Sequence, residues 1–272
     1  MERWTSDEVK NRPEALKPLT DLLFQLADDD LVIGYRDQEW LGLAPHIEED
    51  VAFGSIAQEE IGHAAWYFRM LEELGMGRAD DLASLREARE RKNAVMLELP
   101  NGEGADYLTA PHFDWDWTIV RHYLHDVWEM ARLEALKTSR YLPLAEASEK
   151  ILSEKRYHRA HQELWMRTMA RHDSVSRQKL EAATAKAFQW LGDLPSVGPA
   201  ETALEHLGIF SGVDEAKRAF WDQVDTFFGE LRIHRPEAAK PLDGRQGQHT
   251  PELARALSTL SEVYRLDPTA KW

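Results

Sequence analysis

The stretch Ile56-Ala57-Gln58-Glu59-Glu60-Ile61-Gly62-His63-Ala64-Ala65-Trp66-Tyr67 decides the fold. It lies inside a run from about Ile47 to Leu74 that reads as one helix, with Gly75 as its stop. On that helix Ile56, Glu60, His63 and Tyr67 share one face. Glu60 and His63 stand three residues apart, about 300° of helical turn, so both side chains project the same way. Such a Glu-x-x-His lets one carboxylate and one imidazole hold a single metal, and it is the signature of di-iron helical bundles. A lone pair of this kind also occurs in acidic helices that bind nothing. Its weight therefore depends on what accompanies it.

The rest of the chain reads helical as well. A first long helix is predicted from about Pro13 to Trp40, with Leu19, Leu22, Leu23, Leu26 and Ile33 at helical spacing, ended by Gly42 and Pro45. A shorter charged helix is predicted near Asp80 to Val95, a third long helix over about Asp116 to Ser139, and a fourth over about Leu144 to Arg171 after a break at Pro143. Residues 96–115 read as a long loop, of the kind used for a crossover or a functional surface. Further helices follow over about Ser174–Leu191, Glu201–Leu207 and Val213–Ile233. A last helix opens at Thr250-Pro251-Glu252, with Thr as N-cap and Pro in the first turn. Four long helices paired two and two around a crossover predict an all-α, ferritin-like four-helix bundle with additional C-terminal helices. We expect one domain over residues 1–272, with a core bundle over about 13–171 and a helical extension over about 172–272.

Composition narrows the function. Net charge is −15 with no Lys/Arg cluster, which argues against nucleic acid, since a phosphate backbone needs a clustered basic face. There is no cysteine, so disulfides, iron–sulfur clusters and Cys-ligated zinc are excluded. That fits a cytoplasmic protein. No apolar stretch approaches membrane-spanning length, and Met1 to Glu8 carries no apolar leader, so neither a membrane span nor a signal peptide is expected.

Further carboxylates and histidines fall on core-facing stripes. Asp30 lies with Leu23, Leu26 and Ile33 on the first helix, and Asp126 with Ile119, His122 and Tyr123 on the third. Glu154, Tyr157, His158, His161 and Trp165 are placed together on the fourth. The candidate metal ligands are therefore Asp30, Glu60, His63, Asp126, Glu154 and His158, and the cofactor is either iron or, if the site is a relic, none. The second half of the set is irregular. Asp126 stands where Glu is usual, and His158 follows Glu154 by four residues instead of three, about 100° out of step. His122, His125 and His161 read as packing groups or as groups that support the ligands, Asp28 and Asp29 as helix surface, and Trp66, Tyr67, Trp128 and Trp165 as core. Buried carboxylates must be neutralised, by metal, by protons or by a cation. Arg121, Arg156 and Arg159 are the nearby cations considered, and an Arg inside the bundle would mark a dead metal site.

Several stretches together resemble one family. They are Arg36-Asp37-Gln38-Glu39-Trp40 with Ala44-Pro45, Asp50 through Gly62, Leu99-Pro100-Asn101-Gly102, and Thr118-Ile119-Val120-Arg121 with Tyr123, Asp126 and Trp128. Glu154-Lys155-Arg156-Tyr157-His158 and the tail from Gly247-Gln248-His249-Thr250 to Lys271-Trp272 complete the set. In order and spacing, over about residues 20–272, they are similar to the PaaC-type subunits of phenylacetyl-CoA epoxidase (monooxygenase). The resemblance implies a ferritin-like fold and a role in phenylacetate catabolism. It also implies a complex that adds one atom of O2 across the ring of phenylacetyl-CoA, with electrons from NADPH through a reductase. In that family the di-iron site belongs to a sister subunit, PaaA, and the PaaC type is a structural partner with a degenerate site. Glu60 and His63 are both present here, where a chain of the degenerate type is expected to have lost them.

Three readings follow from sequence. One is a non-catalytic partner of a PaaA-like chain, forming a heteromer, with a homodimer as the alternative assembly. The second is a di-iron oxygenase in its own right. The third is a metal-storing or peroxide-handling bundle of the ferritin type.

Overall fold

The computed structural model describes residues 3–102 and 112–270. Its α-helices, in chain order, are α1 (Ser6–Lys10), α2 (Pro13–Gln38), α3 (Ile47–Glu73), α4 (Ala79–Ser84), α5 (Val95–Glu98), α6 (Trp115–Leu136), α7 (Leu142–His172), α8 (Ser174–Phe188), α9 (Glu201–His206), α10 (Val213–Leu231) and α11 (Pro251–Leu266). Among the described residues there is no β-strand, and no helix is long and apolar enough to cross a membrane. The fold is all-α and ferritin-like, with its four long helices in two sequential pairs. The chain forms two compact units, one of Trp4–Leu99 with Leu242–Trp272, the other of Met1–Arg3 with Pro100–Pro241.

In the first unit α2 packs along α3, with α4, α5 and α11 around them. Gly34 permits a close approach of the two long helices. A Cβ there would stand 3.0 Å from the Cβ of Glu60 and 3.0 Å from Ile61 Cδ1. The α3 helix ends with Leu74 as C-cap, and Gly75 takes the left-handed conformation at φ +86°. At the start of α11 the Thr250 hydroxyl accepts from the amide of Glu252 and Pro251 opens the helix, as its sequence predicts.

In the second unit α6 packs along α7, and α8 and α10 pack on α6. α10 carries Phe220, Val224, Phe227 and Phe228 on its buried face. Trp128 of α6 meets Phe220 edge-on at 6.0 Å, and Tyr123 of α6 lies 4.8 Å from Phe227.

The structure departs from the sequence reading at four places. Ser6–Lys10 forms a short helix with a full capping box between Thr5 and Glu8, a signal the sequence reading passed over. The charged helix expected near Asp80 to Val95 is only Ala79–Ser84 plus a 3-10 turn at Ala88–Glu90, because Arg86 and Arg91 turn inward to Asp28. Pro143 does not break the chain. It sits in the first turn of α7, where a missing N–H costs nothing. The loop expected over 96–115 begins instead with the helical turn α5, its middle part, 103–111, lies outside the described residues, and α6 opens at Trp115.

Asp28 and Asp29 are also corrected. Both are fully buried, not surface. Consecutive helical residues point about 100° apart, so Asp28, Asp29 and Asp30 face three different neighbours. Asp28 accepts from the guanidinium groups of Arg86 and Arg91 and from the amide of Lys92. Burial pulls Arg91 down to about 10, against the pull of Asp28, so it stays a cation at neutral pH. Asp29 receives both terminal nitrogens of Arg245, at 2.8 and 3.0 Å, and the amide of Ala94 at 2.8 Å. The segment before α11 thus folds back onto α2.

The same segment carries a pH-sensitive contact. His249 Nδ1 lies 2.7 Å from Glu98 Oε2 and Nε2 lies 3.1 Å from the carbonyl of Arg91. Both ring nitrogens face oxygen, so both donate only when the ring is cationic. Burial pushes the His249 pKa down, but the Glu98 bond and charge outweigh it and the net shift is upward. A raised His pKa contributes stability that is complete below the unfolded value of about 6.5 and is lost as pH rises through the higher folded value. Thermal midpoints are therefore expected to fall as pH rises above about 6.5 in the wild-type chain, and this slope to flatten in His249→Gln. Parallel pH profiles for the two proteins would show that His249 is not the group responsible.

Candidate functional site

On α2 and α3 the site residues read from the sequence are buried. Asp30 and Glu60 are fully enclosed and His63 is 2% exposed. Carboxylate oxygens of Asp30 and Glu60 lie within 4.8 Å of one another. His63 Nδ1 is 3.7 Å from Glu60 Oε2, so the Glu-x-x-His pair does share one face.

On α6 the helix buries a polar stripe two turns long. His122 Nε2 lies 3.3 Å from Asp126 Oδ1, and His125 Nε2 lies 2.9 Å from Glu129 Oε2. All four are fully buried. Each pair is an i, i+4 contact, and the two pairs are offset by three residues, so both lie along one side of the helix. On α7 the buried face carries Leu144, Ser148, Ile151, Lys155, His158, Gln162 and Met166. Donor atoms of His122, Asp126 and His158 lie within 4.8 Å of one another. The structure therefore brings Asp126 and His158 together.

Glu154 is not part of that group. It is half-buried, one residue out of step with the inward face, and Tyr157 is 79% exposed. The inward residue is its neighbour Lys155. The Lys155 ammonium lies 2.8 Å from Glu129 Oε2, 3.2 Å from Asp126 Oδ1 and 3.3 Å from His125 Nε2, and the side chain is fully buried. Arg132 adds a second cation, 3.5 Å from Glu129 Oε1.

Burial pushes the carboxyls of Asp126 and Glu129 up, but the cations outweigh it. His122, Lys155 and His158 hold Asp126 below its ordinary value. Lys155, Arg132 and His125 hold Glu129 well below the carboxylate range. Of the arginines considered from sequence, Arg121 is buried on Asn101 at 2.6 Å, Arg159 pairs with Glu163, and Arg156 is exposed. The cation that bridges Asp126 and Glu129 is thus a lysine, which the sequence reading missed, as it missed Glu129. A signal was present. The inward stripe Ile151, Lys155, His158, Gln162 steps by four, three and four, and it passes through 155, not 154.

Both helix pairs thus carry buried carboxylate and imidazole groups of the type that holds metal ions. An iron pair needs its carboxylates open to the metal. On α6 and α7 a protein cation already bonds Asp126 and Glu129, so that donor set does not fit one.

The sequence model described as phenylacetic acid catabolic protein matches residues 1–272. The chain belongs to this family. Within the phenylacetic acid catabolic proteins, the C-type subunit of the 1,2-phenylacetyl-CoA epoxidase of Escherichia coli (strain K12) is 32% identical over 261 residues. The alignment covers 94% of this chain and 100% of that protein.

Proposed function

We propose that this chain is a subunit of a phenylacetyl-CoA epoxidase of phenylacetate catabolism, working in the cytoplasm as the non-catalytic partner of a di-iron sister subunit. The observation that carries the reading is the end-to-end similarity to the C-type subunit of that enzyme. The non-catalytic half is supported by the buried ion pairs of Lys155 with Asp126 and Glu129. A subunit that must activate dioxygen needs open metal positions on its carboxylates. Here a buried ammonium of the same unit already bonds both carboxylates.

In this reading the sister subunit holds the iron and the acyl-CoA substrate. This chain contributes packed helical units, each kept stiff by buried charge pairs that leave few alternative packings. Co-expression with the catalytic subunit of the same enzyme is expected to give one complex in gel filtration, with ring epoxidation lost when this chain is omitted. Two separate peaks at micromolar concentration, or full activity without this chain, would overturn the reading.

A further inference from the structure

A carboxylate pair buried in a helical body needs positive charge beside it. On α6, Asp126 and Glu129 have it from Lys155, whose stem lies along the buried stripe of α7 between Ile151 and His158. We infer that Lys155 is a built-in substitute for a divalent metal, and that shortening it converts His122, His125, Asp126, Glu129 and His158 into a metal-binding site.

Two arguments support this. The first is space. A divalent transition metal binds carboxylate oxygen and imidazole nitrogen at about 2.0–2.2 Å. The Lys155 nitrogen stands about 3 Å from Asp126 Oδ1, Glu129 Oε2 and His125 Nε2 together, so the volume these three atoms enclose is already filled. The second is charge. Asp126 and Glu129 face the cations Lys155 and Arg132, so a dication placed there would meet an ammonium a few ångströms away in a low-dielectric interior. Removing the ammonium restores both the vacancy and one negative charge. The donors left around that space are Asp126, Glu129 and His125, with His122 and His158 beside Asp126, residue types suited to Fe2+, Mn2+, Co2+ or Zn2+. Lys155 thereby gives a reason for the non-catalytic role proposed above. A metal titration needs no partner chain, so its failure and failure of the complex are read separately.

The probe is Co2+, whose visible absorption reports bound imidazole and carboxylate. Full-length wild type, Lys155→Ala, Lys155→Met and Lys155→Ala/His122→Ala are titrated with Co2+, and thermal midpoints are recorded with metal and with chelator. Wild type is expected to bind no Co2+ at the buried site and to keep the same midpoint in both. Lys155→Ala is expected to bind it at least about tenfold more tightly than wild type, with its midpoint raised by metal. Lys155→Met fills the volume without charge and is expected to lose stability that metal does not restore. Adding His122→Ala should abolish the gain, which separates the buried site from surface histidines. If Lys155→Ala does not fold alone, refolding in Co2+ is expected to rescue it. Buried Co2+ binding by wild type, or no gain and no rescue in Lys155→Ala, would overturn the inference.

Discussion

Arg245→Ala is expected to lower the folding stability by about 3–5 kcal/mol, the cost of leaving a buried charge without its partner. Arg245 and Asp29 are both fully enclosed, and the guanidinium grips both carboxylate oxygens of Asp29 while donating to the carbonyl of Lys92 at 2.7 Å. Truncation takes both guanidinium bonds from the buried Asp29 carboxylate and leaves the Lys92 carbonyl without the 2.7 Å bond. Arg245→Lys should recover only part of the loss, because a point ammonium cannot span both oxygens and the carbonyl in a planar fork. Gly247 sets the path of the same segment. Its φ of +76° and the Arg89 carbonyl, which would lie 2.4 Å from any Cβ, leave room only for glycine. Chemical denaturation of both variants checks the prediction. A loss below about 1 kcal/mol for Arg245→Ala would mean that the pair is dispensable.

Phe220→Ala is expected to cost a similar amount, about 3–5 kcal/mol, through transfer and cavity terms. Phe220 is fully buried and stands at the centre of an aromatic chain, 6.0 Å from Trp128 and 4.7 Å from Trp221, which in turn lies 6.4 Å from Phe188. These rings dock α10 onto α6 and α8, and α6 carries His122, His125, Asp126 and Glu129. Phe220→Leu keeps most of the apolar surface and should cost well under half as much. Near-UV circular dichroism, dominated by tryptophan packing, should weaken in the alanine variant in step with the denaturation midpoint. An unchanged midpoint would show that the ring is not part of the packed core.

Helix type and position were legible locally. Leu19, Leu22, Leu26 and Ile33 on α2, and Ile56, Glu60, His63 and Tyr67 on α3, sit at spacings that only a helix turns into one face. For the same reason Asp30, Glu60, His63, Asp126 and His158 are all buried where their helical phase puts them. Caps were legible too, Thr250 and Gly75 among them, because capping is a contact between residues a few positions apart.

What the sequence could not decide was which neighbours meet each buried charge. Asp28 and Asp29 read as surface because their partners, Arg86, Arg91 and Arg245, lie far along the chain, the last 216 residues away. Lys155 was legible as an inward position but not as the cation of Asp126 and Glu129, since that depends on how α7 is set against α6. Periodicity is a property of one helix, so the sequence alone determined an all-α chain with acidic and imidazole groups turned inward. Charge compensation is a property of several elements packed together. Only the tertiary structure could show that a buried lysine meets Asp126 and Glu129.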